Sequence, residues 1–173
     1  WATGACLLIR SELYNQVGGL DDEFFAHMEE IDLCWRLRSR GFRIVCIPQS
    51  TVFHVGGGTL HVEHPHKTYL NFRNNLLMLY KNLPQKSLHK IMRWRKLFDY
   101  AAAFQLFVTG KPQNAKSVLK ARKDFKKMLP GFVDKRIENL SLATRTDFPE
   151  MLRKSIVIEY YLKGNKTYSK LIK

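Results

Sequence analysis

Three carboxylates lie within four residues at the start of a helix predicted over residues 28–39. At about 100° per residue, Glu29, Asp32 and Arg36 share one face, and the Asp32–Arg36 spacing predicts an ion pair on a solvated surface. Glu30 instead points into the apolar arc of the same helix. A carboxylate on an apolar face is costly unless it has a partner or a task, and general base catalysis is one such task.

The alternative for Glu30 is a purely structural role. Acidic residues are favoured in the first turn of a helix because they interact well with the helix dipole. The apolar face is not reliably buried in that first turn, so a carboxylate there need not have a function. The pattern of residues alone leaves both interpretations open.

The composition indicates a folded protein that favours negatively charged partners. Of the 173 residues, 45% are hydrophobic, which is enough for a core and argues against disorder. The net charge of +14 favours nucleic acid, nucleotide phosphates or anionic lipid, without choosing among them. The three cysteines (Cys6, Cys34 and Cys46) lie in apolar contexts without metal-binding spacing. We expect them to be reduced core residues of a cytosolic protein.

The order of predicted elements divides the chain into an α/β part and a helical, basic part. Short strands are predicted over residues 4–9, 42–48 and 50–55, around a helical turn that ends at Gly18 and Gly19. From residue 67 onward the pattern predicts only helices, over 67–83, 87–109 and 113–129. Pro130 and Gly131 are expected to end the last of these.

The predicted helix over residues 87–109 is amphipathic and basic. Its basic side is formed by Lys86, His89, Lys90, Arg93 and Lys96, and its apolar side by Leu88, Ile91, Met92, Trp94 and Phe98. A basic helix that carries Trp and Phe suits the surface of an anionic membrane. The other interpretation is that its apolar side packs on the rest of the fold.

A series of short motifs in the first eighty residues resembles the family 2 glycosyltransferases, most closely their bacterial rhamnosyltransferase-like branch. The matching residues are Gly18, Gly19, Leu20, Asp21, Asp22, Phe24 and Phe25, then Glu29, Glu30, Asp32, Leu33, Cys34 and Arg36, then Gly41, Phe42, Arg43 and Ile44, then Pro48 and His54. Their order and spacing match together, and this combination is far more specific than any single motif.

The resemblance implies an α/β fold, present here as an α+β fragment. Residues 1–83 would be the C-terminal portion of a GT-A nucleotide-diphospho-sugar transferase fold, contributing the acceptor side and the catalytic base. Residues 84–173 would be a helical, basic extension. The donor-binding half of the family carries an Asp-x-Asp motif that holds Mn²⁺ or Mg²⁺, and this sequence has none. We therefore expect the chain to be inactive alone, with the metal bound mainly outside it.

The resemblance also implies roles for individual residues. In inverting members, the second acid of the pair is the base that deprotonates the acceptor hydroxyl, and that position is Glu30, where many relatives have Asp. Glu29 would shape the acceptor pocket, while Asp32 and Arg36 would support the helix. His54 would complete the metal site, as a histidine does in some relatives, or else only hydrogen-bond the backbone.

A glycine-rich loop and the following helix are implied to contact the donor phosphates. Gly57, Gly58 and Thr59 suit a lid that folds over the phosphates, and Arg73, with Asn74 beside it, suits a contact to a phosphate or to the donor loop. A packing role for this Arg-Asn pair is the alternative. The histidines at 61, 64 and 66 resemble a zinc cluster, but Pro65 and the loop setting favour a lid.

The predicted function is metal-dependent, inverting transfer of a sugar from a nucleotide-sugar to a saccharide or lipid-linked acceptor in cell-surface polysaccharide synthesis. We expect a cytoplasmic location, peripheral on the inner face of the cell membrane, and self-association of the fragment through an open sheet edge. The alternative is a basic nucleic-acid-binding module or a membrane-docking scaffold without catalysis. No nucleic-acid reader motif is present, so we expect no nucleic-acid partner.

Overall fold

Helices account for the regular structure of this protein in the computed structural model, which describes residues 1–55, 64–149, 151–152 and 154–171. Seven α-helices occur in these ranges: α1 (Ser11–Gln16), α2 (Glu29–Ser39), α3 (Pro65–Asn82), α4 (Gln85–Val108), α5 (Pro112–Ser141), α6 (Ile156–Tyr161) and α7 (Tyr168–Leu171). A 3₁₀ turn at Asp22–Phe24 precedes α2. The bounds of α2, α3 and α4 lie within two residues of those predicted from the sequence.

The main core forms where α3 packs against α5, with α4 also packed on α5. Leu76 and Leu77 of α3 and Phe132 of α5 are buried together there with Phe24 of the 3₁₀ turn. The Phe24 and Phe132 rings meet edge to face, with their centroids 6.2 Å apart. The 3₁₀ turn is thereby fixed to the helical core just ahead of α2.

The predicted α/β fold is wrong for the described residues, which contain no strand or sheet, so they do not form a fragment of a GT-A fold. The segments 4–9, 42–48 and 50–55 are irregular, and Leu8 and Phe53 are each 97% exposed. High β-propensity reflects packing of a side chain against neighbouring strands. Without such neighbours, these apolar segments gain nothing from extended pairing.

The prediction that Pro130 ends a helix is also wrong, because α5 continues through it to Ser141. Proline removes one backbone hydrogen bond and crowds the preceding turn, a cost of about 3 kcal/mol. The turns beyond it are held by buried contacts: Phe132 is 2% exposed, and the Arg136 guanidinium donates to the carbonyl of Tyr80. Tertiary packing therefore outweighs the local preference of proline.

A buried ion network connects α2, α3 and α5. Asp32 is fully buried, and its Oδ2 accepts from Arg36 Nε and Lys81 Nζ, each at 2.9 Å, while its Oδ1 accepts from Asn82 Nδ2 at 2.7 Å. The Asp32–Arg36 pair was predicted correctly, but on a solvated face. It is buried because α3 supplies a second cation and an amide to the same carboxylate.

The same network extends to the turn ahead of α2. Lys81 Nζ also lies 2.6 Å from Asp21 Oδ2, and Lys135 Nζ of α5 lies 2.6 Å from Asp21 Oδ1. Burial alone would raise the pKa of Asp21, but the hydrogen bonds and charges of Lys135 and Lys81 lower it below its usual value. Asp21 is thus kept ionised between the two ammonium groups.

The sequence also predicted that all three cysteines lie in the core. Of the three free cysteines only Cys34 is buried, while Cys6 and Cys46 are exposed, so the prediction of three core cysteines is wrong for two of them.

The division of the chain at residues 83 and 84 stays a prediction, although α3 before it packs mainly on α5 after it. None of the described helices is both long and apolar enough to cross a bilayer.

We expect Asp32→Asn to lower the free energy of unfolding by about 3–5 kcal/mol, because it leaves Arg36 and Lys81 buried without their shared counter-charge. Chemical denaturation measures this difference. The matched control is Asp124→Asn, which removes the charge facing the exposed Lys120 ammonium at 2.6 Å and should cost about 1 kcal/mol or less. Equal losses in the two variants would contradict a central role for Asp32.

Candidate active site

The loop that leads into α2 is strained. Phe25, His27 and Met28 have positive φ angles of 60°, 68° and 73°. A non-glycine residue in this region costs about 1–3 kcal/mol and persists only where the surroundings enforce it. Such strain is concentrated at functional sites, and here it directly precedes the two glutamates at the start of α2.

Asn74 of α3 holds this loop. Its side chain is fully buried, and Nδ2 donates to the carbonyl oxygens of Phe24, Ala26 and His27, each at 2.8 Å. Three carbonyls that turn toward one amide cannot all keep the usual extended or helical backbone. Asn74 therefore accounts for the retention of the strained conformation.

Arg73 reinforces the same contact. Its Nε donates to Asn74 Oδ1 at 2.8 Å, which fixes the orientation of the amide, and its Nη2 donates to the carbonyl of Glu23 at 2.8 Å. The guanidinium also lies over the Tyr69 ring, 5.4 Å from its centroid. The residue predicted to contact a phosphate or the donor loop thus binds the backbone of the loop before α2.

The carboxylates of Glu29 and Glu30 occupy the first two positions of α2 and are half-buried. One oxygen of each, Oε2, is buried without a hydrogen-bond partner among the described residues, and so is Nε2 of His27. Buried polar atoms are nearly always satisfied, so three orphan atoms within four residues mark an unusual site. These atoms are available to bind the polar groups of a ligand.

The electrostatics of the site differ for its acids and its histidine. Burial raises the pKa of Glu29, and the neighbouring charge of Glu30 raises it further. Burial also lowers the pKa of His27, and Lys67 adds to that effect while Glu30 opposes it. His27 is therefore a neutral imidazole at neutral pH, with one nitrogen to donate and one to accept.

The N-terminal segment lies over the face of α2 that carries Glu30 and Cys34. A Cβ atom added at Gly4 would come within 3.9 Å of Glu30 Cβ, and Cys34 Sγ lies 3.9 Å from the carbonyl oxygen of Ala2. Burial raises the pKa of the Cys34 thiol, and the contact with the Ala2 carbonyl partly offsets that rise. Ligand access to Glu30 is consequently limited on the side of residues 2–4.

Asp32 and Arg36 belong to the ion network rather than to the group of orphan atoms. Both oxygens of Asp32 are occupied, and the Arg36 guanidinium donates to the carbonyls of Val17 and Gly19, the latter at 2.6 Å. These bonds tie α2 to the turn formed by Gly18 and Gly19, whose φ angles are 81° and 61°. The proposed support role of Asp32 and Arg36 is compatible with this geometry.

The residues described do not assemble a metal site. His54 is exposed in the irregular segment 51–55, and within the described ranges no three His, Cys, Asp or Glu side chains are grouped to hold an ion. The predicted phosphate and lid residues Gly57, Gly58 and Thr59 lie outside the described residues, as does His61. Their roles stay predictions.

A separate cleft of about 400 Å³ opens over the ion network, lined by Gly18, Asp21, Arg36, Arg40 and Lys135 among others. Neither Glu29 nor Glu30 lines it. Within it Asp21 pairs with Lys81 and Lys135, whereas Nε of Arg40 is buried without a hydrogen-bond partner among the described residues. We place the candidate site at Glu29 and Glu30 instead, because three unsatisfied polar atoms lie there within four residues, against the single one of Arg40 in the cleft.

Two contributors to the site were not identified by their chemistry in the sequence. The first is His27, to which the sequence assigns no role. The second is Asn74, which the sequence identifies only as the neighbour of Arg73. A loop of positive φ angles leaves no signal in a segment without glycine, so this arrangement had to be seen in three dimensions.

Comparison with known proteins shows partial similarity to enzymes that transfer sugars. The chain is 43% identical over 54 residues to an N-acetylglucosaminyl-diphospho-decaprenol L-rhamnosyltransferase of Mycobacterium tuberculosis, covering 31% of this chain and 18% of that protein. It is 31% identical over 77 residues to the low-salt glycan biosynthesis hexosyltransferase Agl10 of Haloferax volcanii, covering 44% and 25%.

A third relative is the rhamnosyltransferase WbbL of Escherichia coli, 28% identical over 88 residues, which cover 50% of this chain and 31% of that protein. The matched region thus spans less than a third of each of these three relatives. No protein-family profile and no solved structure matches the chain. The similarity supports a glycosyltransferase family, without identifying which one.

We expect Asn74→Ala to destabilise the loop before α2, because the carbonyls of Phe24, Ala26 and His27 lose their shared donor. Each buried unsatisfied group costs about 1–3 kcal/mol. The measurement is amide hydrogen exchange over residues 23–30 together with chemical denaturation. The control is Asn75→Ala, whose Nδ2 makes only a weak contact with Met28 Sδ at 3.8 Å. Unchanged hydrogen exchange in Asn74→Ala would show that Asn74 does not hold this loop.

The raised pKa of Glu29 predicts a pH-dependent penalty on folding. The folded state retains the proton more strongly than the unfolded state, so the stability contribution falls as pH rises above the usual value of 4.5. Glu29→Gln removes this penalty, and its stability relative to the parent protein should increase through that window. Denaturation at several pH values tests this, with Glu12→Gln on the exposed face of α1 as the control. A constant difference across pH would contradict the prediction.

Proposed function

We propose that this chain is part of an inverting glycosyltransferase that transfers a sugar from a nucleotide-sugar to a saccharide or lipid-linked acceptor in cell-surface polysaccharide synthesis. The observation that carries the proposal is the partial similarity to three named sugar transferases of bacteria and an archaeon. The orphan Glu30 carboxylate, fixed beside a strained loop, supports a base at this position.

In the proposed reaction, Glu30 takes the proton of the acceptor hydroxyl. The acceptor oxygen then forms a bond to the anomeric carbon while the bond from that carbon to the diphosphate oxygen breaks. The diphosphate leaves with the bonding electrons, and the proton remains on Glu30. A single displacement of this kind inverts the configuration of the anomeric carbon, and the base only has to reach the attacking hydroxyl.

The neighbours of Glu30 suit the binding of an acceptor sugar. Glu29 Oε2 and His27 Nε2 are the two other orphan atoms, and both can form hydrogen bonds with hydroxyl groups. Phe25 is 75% exposed in the strained loop and offers an apolar ring to one face of a sugar. We assign Glu29 to shaping the acceptor pocket, and His27 and Phe25 to the same pocket.

The proposal for the complete gene product also includes the metal ion and the metal ligand that the sequence predicts. That ion is Mn²⁺ or Mg²⁺, but His54 stands apart from other ligands among the described residues. Proton removal by Glu30 is independent of a metal. Because the matched region is a small part of each relative, we also propose that residues 1–173 do not turn over alone.

We expect Glu30→Gln to reduce transfer by about 10²–10⁴-fold in the complete gene product that carries residues 1–173, because the amide cannot accept the proton. The assay measures nucleotide release from a panel of nucleotide-sugars, with and without Mn²⁺, in the presence of glycan and lipid-linked acceptors. Glu30→Asp should keep measurable activity, since it preserves the carboxylate and shortens its reach by one methylene.

The matched control is Glu23→Gln, which removes an exposed carboxylate from the turn before the strained loop. Its activity should remain close to that of the parent protein. Equal activity in Glu30→Gln and Glu23→Gln would remove Glu30 as the base and return it to a structural role. Absence of release from every donor tested would contradict sugar transfer itself.

A further inference from the structure

The outward face of α4 carries large apolar side chains along its last four turns. They are Trp94, Leu97, Tyr100, Phe104, Phe107 and Val108, between 48% and 69% exposed. At about 100° per residue, these six side chains share an arc of about 140°. Exposed apolar surface of this kind on one helix indicates an interaction site rather than scattered surface residues.

The first turns of α4 present basic side chains and no acidic one on the same face. Lys86, His89, Lys90, Arg93 and Lys96 are all exposed. The structure therefore differs from the sequence pattern, which placed Trp94 on the inward side with Leu88. Leu88 is buried and Trp94 is half-exposed, so the outward face is basic at its start and aromatic toward its end.

The inward side of α4 contains the only carboxylate of this helix. Asp99 is 1% exposed, with its Oδ1 2.9 Å from Arg95 Nε and its Oδ2 2.5 Å from Arg122 Nη1 of α5. Its charge is used to attach α4 to the fold. The outward face of α4, which is described over its whole length, consequently has positive charge and no acidic residue.

We propose that this outward face of α4 binds the surface of an anionic lipid bilayer. A helix with aromatic residues on an exposed face and basic residues beside them lies in the plane of the interface, with its rings at the boundary between headgroups and acyl chains. Lys and Arg near such a surface are attracted by anionic headgroups. The net charge of +14 acts in the same direction.

A second copy of the chain is the weaker candidate for this surface. In a symmetric dimer through α4, each copy would bring five basic residues and no exposed carboxylate from that helix to the interface. Desolvated like charges without partners disfavour such an assembly. Anionic lipid provides both the apolar phase and the missing negative charge. The proposal rests on this surface alone and does not require sugar transfer.

The test is co-sedimentation of the chain with vesicles of phosphatidylcholine mixed with phosphatidylglycerol, against vesicles of phosphatidylcholine alone. We expect binding to the anionic vesicles that weakens as salt is added. Phe104→Ser combined with Phe107→Ser should reduce partitioning at least tenfold, because each buried ring contributes about that factor. Lys90→Gln should reduce it about five-fold.

Matched controls separate this face from general hydrophobicity. Phe53→Ser combined with Tyr161→Ser removes two aromatic rings outside α4 that are even more exposed than Phe104 and Phe107, and it should leave binding unchanged. On binding, tryptophan fluorescence should shift to shorter wavelength, and Trp94→Phe should abolish the shift while Trp1 and Trp35 remain.

Three results would overturn the proposal. Equal loss of binding in the Phe53 and Tyr161 variant would show that α4 is not the binding face. Absence of binding to anionic vesicles would reject a membrane partner outright. A dimer in analytical ultracentrifugation that is lost in the Phe104 and Phe107 variant, without any uptake by vesicles, would assign the face to a second copy.

Discussion

The buried carboxylate of Asp32 is the constraint on which the arrangement of α2 depends. A carboxylate in the interior is tolerated only when its charge is paired and its oxygens are bonded, and Arg36, Lys81 and Asn82 meet both conditions. Because Lys81 and Asn82 come from α3, the angle and register of α2 are set by α3. Arg36 also binds the carbonyl of Gly19 in the glycine turn, and Lys81 also pairs with Asp21, so both segments are held in place by the same network.

The orphan carboxylates at the start of α2 are positioned by this network without taking part in it. Leu33, one helical turn after Glu29, is fully buried. Rotation of α2 would expose this side chain, so the helix cannot turn to bring the unsatisfied oxygens of Glu29 and Glu30 into water. Asn74 fixes the entering loop from the other side through three carbonyl groups. Glu30 is therefore held in a costly environment by Asp32 and Asn74, whose own polar groups are satisfied, as expected of a preorganised site.

The same helices that build the core leave two different surfaces outside it. The apolar faces of α3 and α5 pack against each other, and polar groups of both helices bind the loop and the turn before α2. α4 joins them by a narrower contact that includes Asp99, Arg95 and Arg122, so most of its aromatic residues remain outside. A site formed by orphan polar atoms and an outward face of aromatic and basic residues thus coexist on one small domain.

The sequence by itself determined the positions of α2, α3 and α4, and it singled out Glu30 as a candidate for a chemical role. Periodicity and the positions of glycine and proline predict α2, α3 and α4 to within two residues, and Glu30 stands out because it lies on the apolar arc of α2. Only the tertiary structure decided that α5 continues through Pro130, that residues 4–9, 42–48 and 50–55 are not strands, and that Asp32 is buried. The physical reason is that the hydrogen bonds of a helix join residues four apart, so the local sequence is enough to predict a helix. Strand pairing, the tolerance of a proline and the burial of a charge depend on partners far away in the chain, which no local pattern specifies.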